Sequence, residues 1–122
     1  MHKITSHIVR STDCNSYNTL FGGTMMNWVD EAGGIFARTY TGEPLMVTVL
    51  FEKFEFHKPV HVGDIIDIYA DNPRIGNTSI TFDLLVKNQK GDHIVSTTAV
   101  FVCVDPDMKR TRHLLKKANN AS

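Results

Sequence analysis

Leu20-Phe21-Gly22-Gly23-Thr24-Met25-Met26-Asn27-Trp28-Val29-Asp30-Glu31-Ala32-Gly33 opens a run to about Tyr40 in which Met26, Val29, Gly33, Phe36 and Ala37 recur at three- and four-residue intervals. That spacing gathers them on one stripe of an amphipathic helix of about sixteen residues, the only long helix the chain offers. Thr24 is the expected cap at its start, and Thr41-Gly42-Glu43-Pro44 holds the glycine and proline expected just past its end. Gly33-Gly34 falls inside it, where each glycine costs about 1 kcal/mol relative to alanine, so close packing against another backbone is the expected compensation.

Downstream of Pro44 the character changes. Met46 to Phe56 is rich in Val, Thr and Phe and predicts a long strand. Val47, Val49 and Phe51 share one parity and Phe54 and Phe56 the other, which places a bulge near Glu52-Lys53. Pro59 and the Val62-Gly63-Asp64 turn end it. Three more strands are expected, Ile65 to Asn72, Thr78 to Asn88 and His93 to Val104, separated by Pro73-Arg74-Ile75-Gly76-Asn77 and Gln89-Lys90-Gly91-Asp92. In the second of these, Thr78, Ile80, Phe82, Leu84 and Val86 alternate with Ser79, Thr81, Asp83 and Lys87, the period of a sheet with one buried face. Short glycine-containing connections make these last strands antiparallel neighbours. Upstream, Ile4, Ile8 and Val9 among His2, Lys3 and His7 suit a short first strand, and Ser11 to Thr19 has the composition of a polar loop. The order strand, helix, four strands is α+β, a five-stranded antiparallel sheet curled around one apolar helix.

At 122 residues the chain supports one hydrophobic core, so residues 1–122 are expected to form a single domain, with 106–122 a basic tail. That tail carries Lys109, Arg110, Arg112, Lys116 and Lys117, and Leu114-Leu115 is placed to dock a last helical turn. Thirteen Lys and Arg balance thirteen Asp and Glu, which argues against a nucleic-acid partner and against an acidic solvating region. No stretch approaches the roughly 18 apolar residues of a membrane span, and no signal-peptide core follows the first residues, so a cytoplasmic location is expected. Cys14 and Cys103 lack any CxxC or Cys/His spacing; both read as reduced thiols, with neither a disulfide framework nor a zinc site.

Two groups in the opening segment carry chemistry. A helix that starts at Gly22-Gly23 presents unpaired backbone N–H groups and a partial positive charge, and glycine lets a reacting carbonyl come close enough for that backbone to receive an oxyanion. Asp30 lies about two turns further on and borders the apolar stripe. Glu31 points about 100° further round the helix and is its competitor.

Asn15-Ser16-Tyr17-Asn18-Thr19-Leu20-Phe21-Gly22-Gly23 through Trp28-Val29-Asp30-Glu31-Ala32 closely resembles the acyl-CoA hydrolase branch of the hotdog superfamily, the bacterial YciA-like and cytosolic acyl-CoA hydrolases. Val47-Thr48-Val49 with Glu52, then Phe56-His57-Lys58-Pro59-Val60-His61-Val62-Gly63-Asp64, is similar to that family's second strand and its following turn. Gly76-Asn77-Thr78-Ser79 is similar to the glycine and Thr-Ser pair that opens the next strand. Two positions depart from the pattern: Ser16 stands where relatives often carry His, and Asn18 where they often carry Gly.

The resemblance implies the hotdog fold and hydrolysis of acyl-CoA to a free acid and coenzyme A, with no cofactor beyond the coenzyme A of the substrate. It also implies homodimers joined edge to edge with active sites at the interface, and a trimer of those dimers. Asp30 becomes the catalytic carboxylate, as general base or as nucleophile, since activated water and a covalent mixed anhydride use the same group. Asn15 assists it, with Asn18 the rival, and Gly22 and Gly23 stabilise the oxyanion. Thr48, Arg74, Gly76, Asn77, Thr78 and Ser79 bind the substrate, the last five as a cradle for coenzyme A phosphates. His57 and Lys58 read as surface residues, and Trp28, Met25 and Met26 as packing. Two other functions share the fold: a non-catalytic acyl-CoA-binding or sensing module, and an enoyl-CoA hydratase or dehydratase, whose local histidine motifs do not occur here.

Overall fold

In the computed structural model, which describes residues 1–112, helix α1 spans Gly22–Thr41, 20 residues. Its buried side is Met25, Val29, Ala32, Gly33, Phe36, Ala37 and Thr41. The stripe thus enters at Met25 rather than at the expected Met26, which lies 100° away on the cylinder and is exposed. Gly42 ends the helix in the left-handed conformation at φ 77°, its N–H donating to Arg38 O at 2.9 Å. Thr24 is not the cap. Phe21 occupies that position without a side-chain hydrogen bond, and the first helical bond runs from Met25 N to Phe21 O. The N–H groups of Gly22, Gly23 and Thr24 therefore lie ahead of any carbonyl one turn back.

The strands are β1 (His2–Ile8), β2 (Met46–Phe56), β3 (Ile65–Ile75), β4 (Ser79–Asn88) and β5 (His93–Cys103), in the antiparallel order β1-β3-β4-β5-β2. The expected bulge in β2 is present: register shifts between Glu52 and Glu55, where Lys53 takes φ 50°, and again between Thr48 and Leu50. β3 runs on through Pro73-Arg74-Ile75, which the sequence assigned to a turn. β1 pairs β3 only as far as Ala70, so beyond it β3 is locally an edge, where a proline deprives no neighbour of a hydrogen bond. A register shift between Asp71 and Arg74, with Asn72 at φ 52°, carries Pro73 past the ladder.

The helix packs on the sheet face made by Ile66, Ile68 and Ala70 of β3, Ile80, Phe82, Leu84 and Val86 of β4, and Ala99 and Phe101 of β5. The glycine pair answers to a ring rather than to a backbone. A Cβ on Gly33 would lie 2.9 Å from Phe101 Cε1 and 3.4 Å from Leu84 Cδ1, whereas one on Gly34 would stand 3.9 Å from the same ring. Gly33→Ala should therefore cost about 1–3 kcal/mol of overpacking, offset in part by the helix propensity of alanine. Gly34→Ala should be neutral or stabilising. Urea melts of the two variants check the contrast; equal midpoints would refute it.

After β5 the chain turns back, Asp105 N donating to Lys109 O and Thr111 N to Cys103 O. Leu114, Leu115, Lys116 and Lys117 lie outside the described residues. No helix among the described residues is long and apolar enough to cross a membrane. The sheet's second edge, β2, exposes Val49, Leu50 and Phe56, with Phe21 and Met26 exposed on the nearby helix. An apolar strand edge of this length, without a second partner among the described residues, is a template for another strand.

Candidate active site

Asp30 stands on the outer margin of α1, next to the buried Val29 and exposed itself, where β2 passes. Thr48 Oγ1 of that strand donates to Asp30 Oδ1 at 2.6 Å. This bond fixes the carboxylate and leaves Oδ2 to accept a proton from elsewhere. Glu31 is also exposed but is given no comparable anchor.

Asn15 is held differently. Its Oδ1 accepts from Tyr17 N at 2.9 Å, Thr19 N at 3.2 Å and Thr19 Oγ1 at 3.1 Å, so its amide NH2 is the end left to donate outward. Asn18, its rival, sits at φ 60° and donates its N–H to Asn15 O at 3.0 Å. A left-handed turn position accepts glycine or asparagine, so Asn18 shapes the loop. Beside them, burial and then the Asp13 carboxylate push the Cys14 thiol up, keeping it protonated and a poor nucleophile.

The helix start lies open. A Cβ on Gly23 would meet nothing within 4 Å, and one on Gly22 would lie 3.7 Å from Phe56 Cζ, so neither glycine is dictated by crowding. Both residues are exposed. A cavity of about 410 Å³ adjoins Gly22, lined by Leu20, Met25, Phe56, Lys58, Val60 and Ile94 among others.

The site residues fall into three groups. Asp30 and Thr48 are together; Asn15, Gly22 and Gly23 flank Leu20-Phe21 and are together. The eight steps along the helix from Gly22 to Asp30 span about 12 Å of its axis, too far for both to touch one carbonyl. The third group lies at the far end of the sheet. Cys103, which pairs with Met46 at the start of β2, donates its N–H to Thr78 O at 2.7 Å, whereas Gly22 abuts Phe56 at the end of β2. There Gly76 closes a tight turn: its N–H donates to Ser79 O at 2.8 Å, and a Cβ would lie 2.5 Å from Ser79 Oγ. Arg74 already donates to Asn72 O at 3.0 Å and pairs with Asp83 at 3.4 Å. Burial works to raise the Asp83 carboxyl, but hydrogen bonds from Asn72, Thr98 and Arg74 outweigh it and hold it low.

Residues 17–95 match the family model described as the thioesterase superfamily. The chain belongs to that superfamily. Its five-stranded sheet with α1 packed against it forms the hotdog fold. Among thioesterase relatives, the acyl-CoA thioester hydrolase YciA of Salmonella typhimurium is 36% identical over 105 residues, 80% of this chain and 78% of the relative. The hexameric thioesterase y2039 of Yersinia pestis superposes with a TM-score of 0.86 at 28% identity, over 92% of this chain and 94% of that one. An acyl-CoA hydrolase of Staphylococcus aureus, solved with butyryl coenzyme A, coenzyme A and coenzyme A disulfide, gives 0.80 at 28% identity over 89% and 66%. That enzyme has also been solved with an asparagine, a threonine or an aspartate replaced by alanine.

Proposed function

We propose that the protein hydrolyses acyl-CoA thioesters to a carboxylic acid and coenzyme A in a site built by two copies of the chain. The observation that carries this reading is the Asp30 carboxylate, clamped by Thr48 with its second oxygen open, beside a strand edge unpaired among the described residues. Antiparallel pairing of β2 with a second β2 brings the Gly22 end of one helix toward the Asp30 end of the other. That removes the separation of about 12 Å which keeps the two groups apart within one chain.

In this arrangement Asp30 Oδ2 takes a proton from water as the water oxygen adds to the thioester carbon. The N–H groups of Gly22 and Gly23 from the facing subunit receive the oxyanion. Asn15, from the same facing subunit, donates from its NH2 to the water or the carbonyl. The C–S bond then breaks, and the departing thiolate recovers the proton from Asp30. No cofactor enters the reaction. Arg74 with Gly76, Asn77, Thr78 and Ser79 receives the coenzyme A phosphates, using guanidinium donors beyond those engaged with Asp83 and Asn72.

Three dimers assemble into the active hexamer, in the cytoplasm. A panel of acyl-CoAs monitored with a thiol-detecting reagent should show turnover, and enoyl-CoA hydration should be absent. Tight binding without thiol release from any chain length would favour a sensing module instead.

A further inference from the structure

Asn15 and Thr19 close a hairpin ahead of α1. Asn15 N donates to Thr19 O at 2.9 Å and Asn18 N to Asn15 O at 3.0 Å, while Cys14 and Leu20 bridge just outside them. The far side of the hairpin is anchored as well: Thr19 bridges to His61, and Leu20 N donates to Val60 O at 2.8 Å. The half-buried Thr19 side chain therefore starts from a fixed backbone, and its Oγ1 donates to Asn15 Oδ1 at 3.1 Å. Every one of these bonds is made within a single chain.

We infer that Thr19 is a positioning residue for the hydrolysis, its hydroxyl fixing the Asn15 side chain with the amide NH2 outward, as Thr48 fixes Asp30. The inference rests on the hydrolytic reading above and adds a residue to it. An asparagine side chain has nearly the same shape either way round, so its neighbours decide which end faces the substrate. Here the inner end meets three donors, the N–H groups of Tyr17 and Thr19 and the Thr19 hydroxyl. An NH2 turned inward would face the two backbone N–H groups, donor against donor. Those two donors are indifferent to side-chain identity. The hydroxyl is the one the sequence supplies, and its removal loosens the tilt of the amide without freeing it to turn over. A loosened amide is aligned with the water or the carbonyl less often, so the loss falls on the chemical step rather than on binding.

The test is kcat and KM, from thiol release with the acyl-CoA that the wild type turns over fastest, in Thr19→Val, Thr19→Ser, Asn15→Ala and the Asn15→Ala/Thr19→Val double variant. Valine comes close to the shape of threonine and removes the donor. It should lower kcat about three- to tenfold, the worth of one neutral hydrogen bond, with KM within about twofold. Serine keeps the hydroxyl and should stay within about twofold of the wild type. In the Asn15→Ala background no amide is left to orient, so Thr19→Val should change kcat by less than about 1.5-fold. A hydroxyl with a purely structural role would instead give its full loss again there. Thr19→Ala carries the same expectations where the valine variant folds poorly, because the backbone bonds persist. Wild-type kcat in the folded valine variant, serine no better than valine, or a loss that multiplies in full onto that of Asn15→Ala would overturn the role of Thr19 and leave the hydrolase standing. Release of no thiol by the wild type would overturn the hydrolytic reading itself.

Discussion

Asp30→Asn is expected to lower kcat/KM for every acyl-CoA by about 10²–10⁴ while the protein stays folded, the span a positioned general base contributes. Asparagine keeps the shape of the carboxylate and an oxygen that can still accept from Thr48 Oγ1, so the substitution removes basicity and little else. The residue is exposed and its one fixed partner is Thr48, so even Asp30→Ala should cost about 1 kcal/mol of stability, measured as a small fall in urea midpoint. Glu31→Gln is the control within the same turn. Glu31 has no anchor comparable to Thr48, and its variant should keep activity within about twofold, since an unfixed carboxylate contributes little to positioning. Turnover by Asp30→Asn at the wild-type rate, or an equal loss in Glu31→Gln, would take the carboxylate role away from Asp30.

Much of the fold was legible because one face of the sheet is buried and the other wet. β4 alternates without interruption, and its buried set, Ile80, Phe82, Leu84 and Val86, is the set its sequence selects except for Thr78, which precedes the strand and is only half-buried. β3 was misread at Pro73 because the pairing that tolerates a proline there is not a local property: it depends on β1 ending opposite Ala70. The helix start was legible in Gly22-Gly23, but its cap was not, because no side chain caps it and the first N–H groups are left open. Gly33 signalled a close approach, and only the fold shows that Phe101, 68 residues away, is what approaches.

The site divides in the same way. Asn15 and Asn18 are equivalent in composition, and the left-handed φ of Asn18 separates them. Thr48 reaches Asp30 across 18 residues and two elements, a partnership with no spacing signal. The cavity draws Met25 from α1, Phe56 from β2, Val60 from the following loop and Ile94 from β5, so no window of sequence contains it.

Mixing two crippled subunits should restore activity. If Asp30 of one chain works with Asn15, Gly22 and Gly23 of the other, a mixed dimer of Asp30→Asn and Asn15→Ala subunits holds one site with both lesions and one with neither. Each such dimer within a hexamer should contribute about half the activity of a wild-type dimer, since a two-fold interface repeats each site once. A random equal mixture should reach about one quarter, because half of its dimers are mixed. A site confined to one chain gives the opposite result. Every site in the mixed dimer would then keep one lesion, and its activity would be the mean of the two parents. The two outcomes differ by about the whole factor lost in the parents, at least tenfold for a base and an orienting amide. Low activity in the co-expressed mixture would return Asn15 and Gly22 to their own chain's Asp30, and the span of α1 between them argues against that outcome.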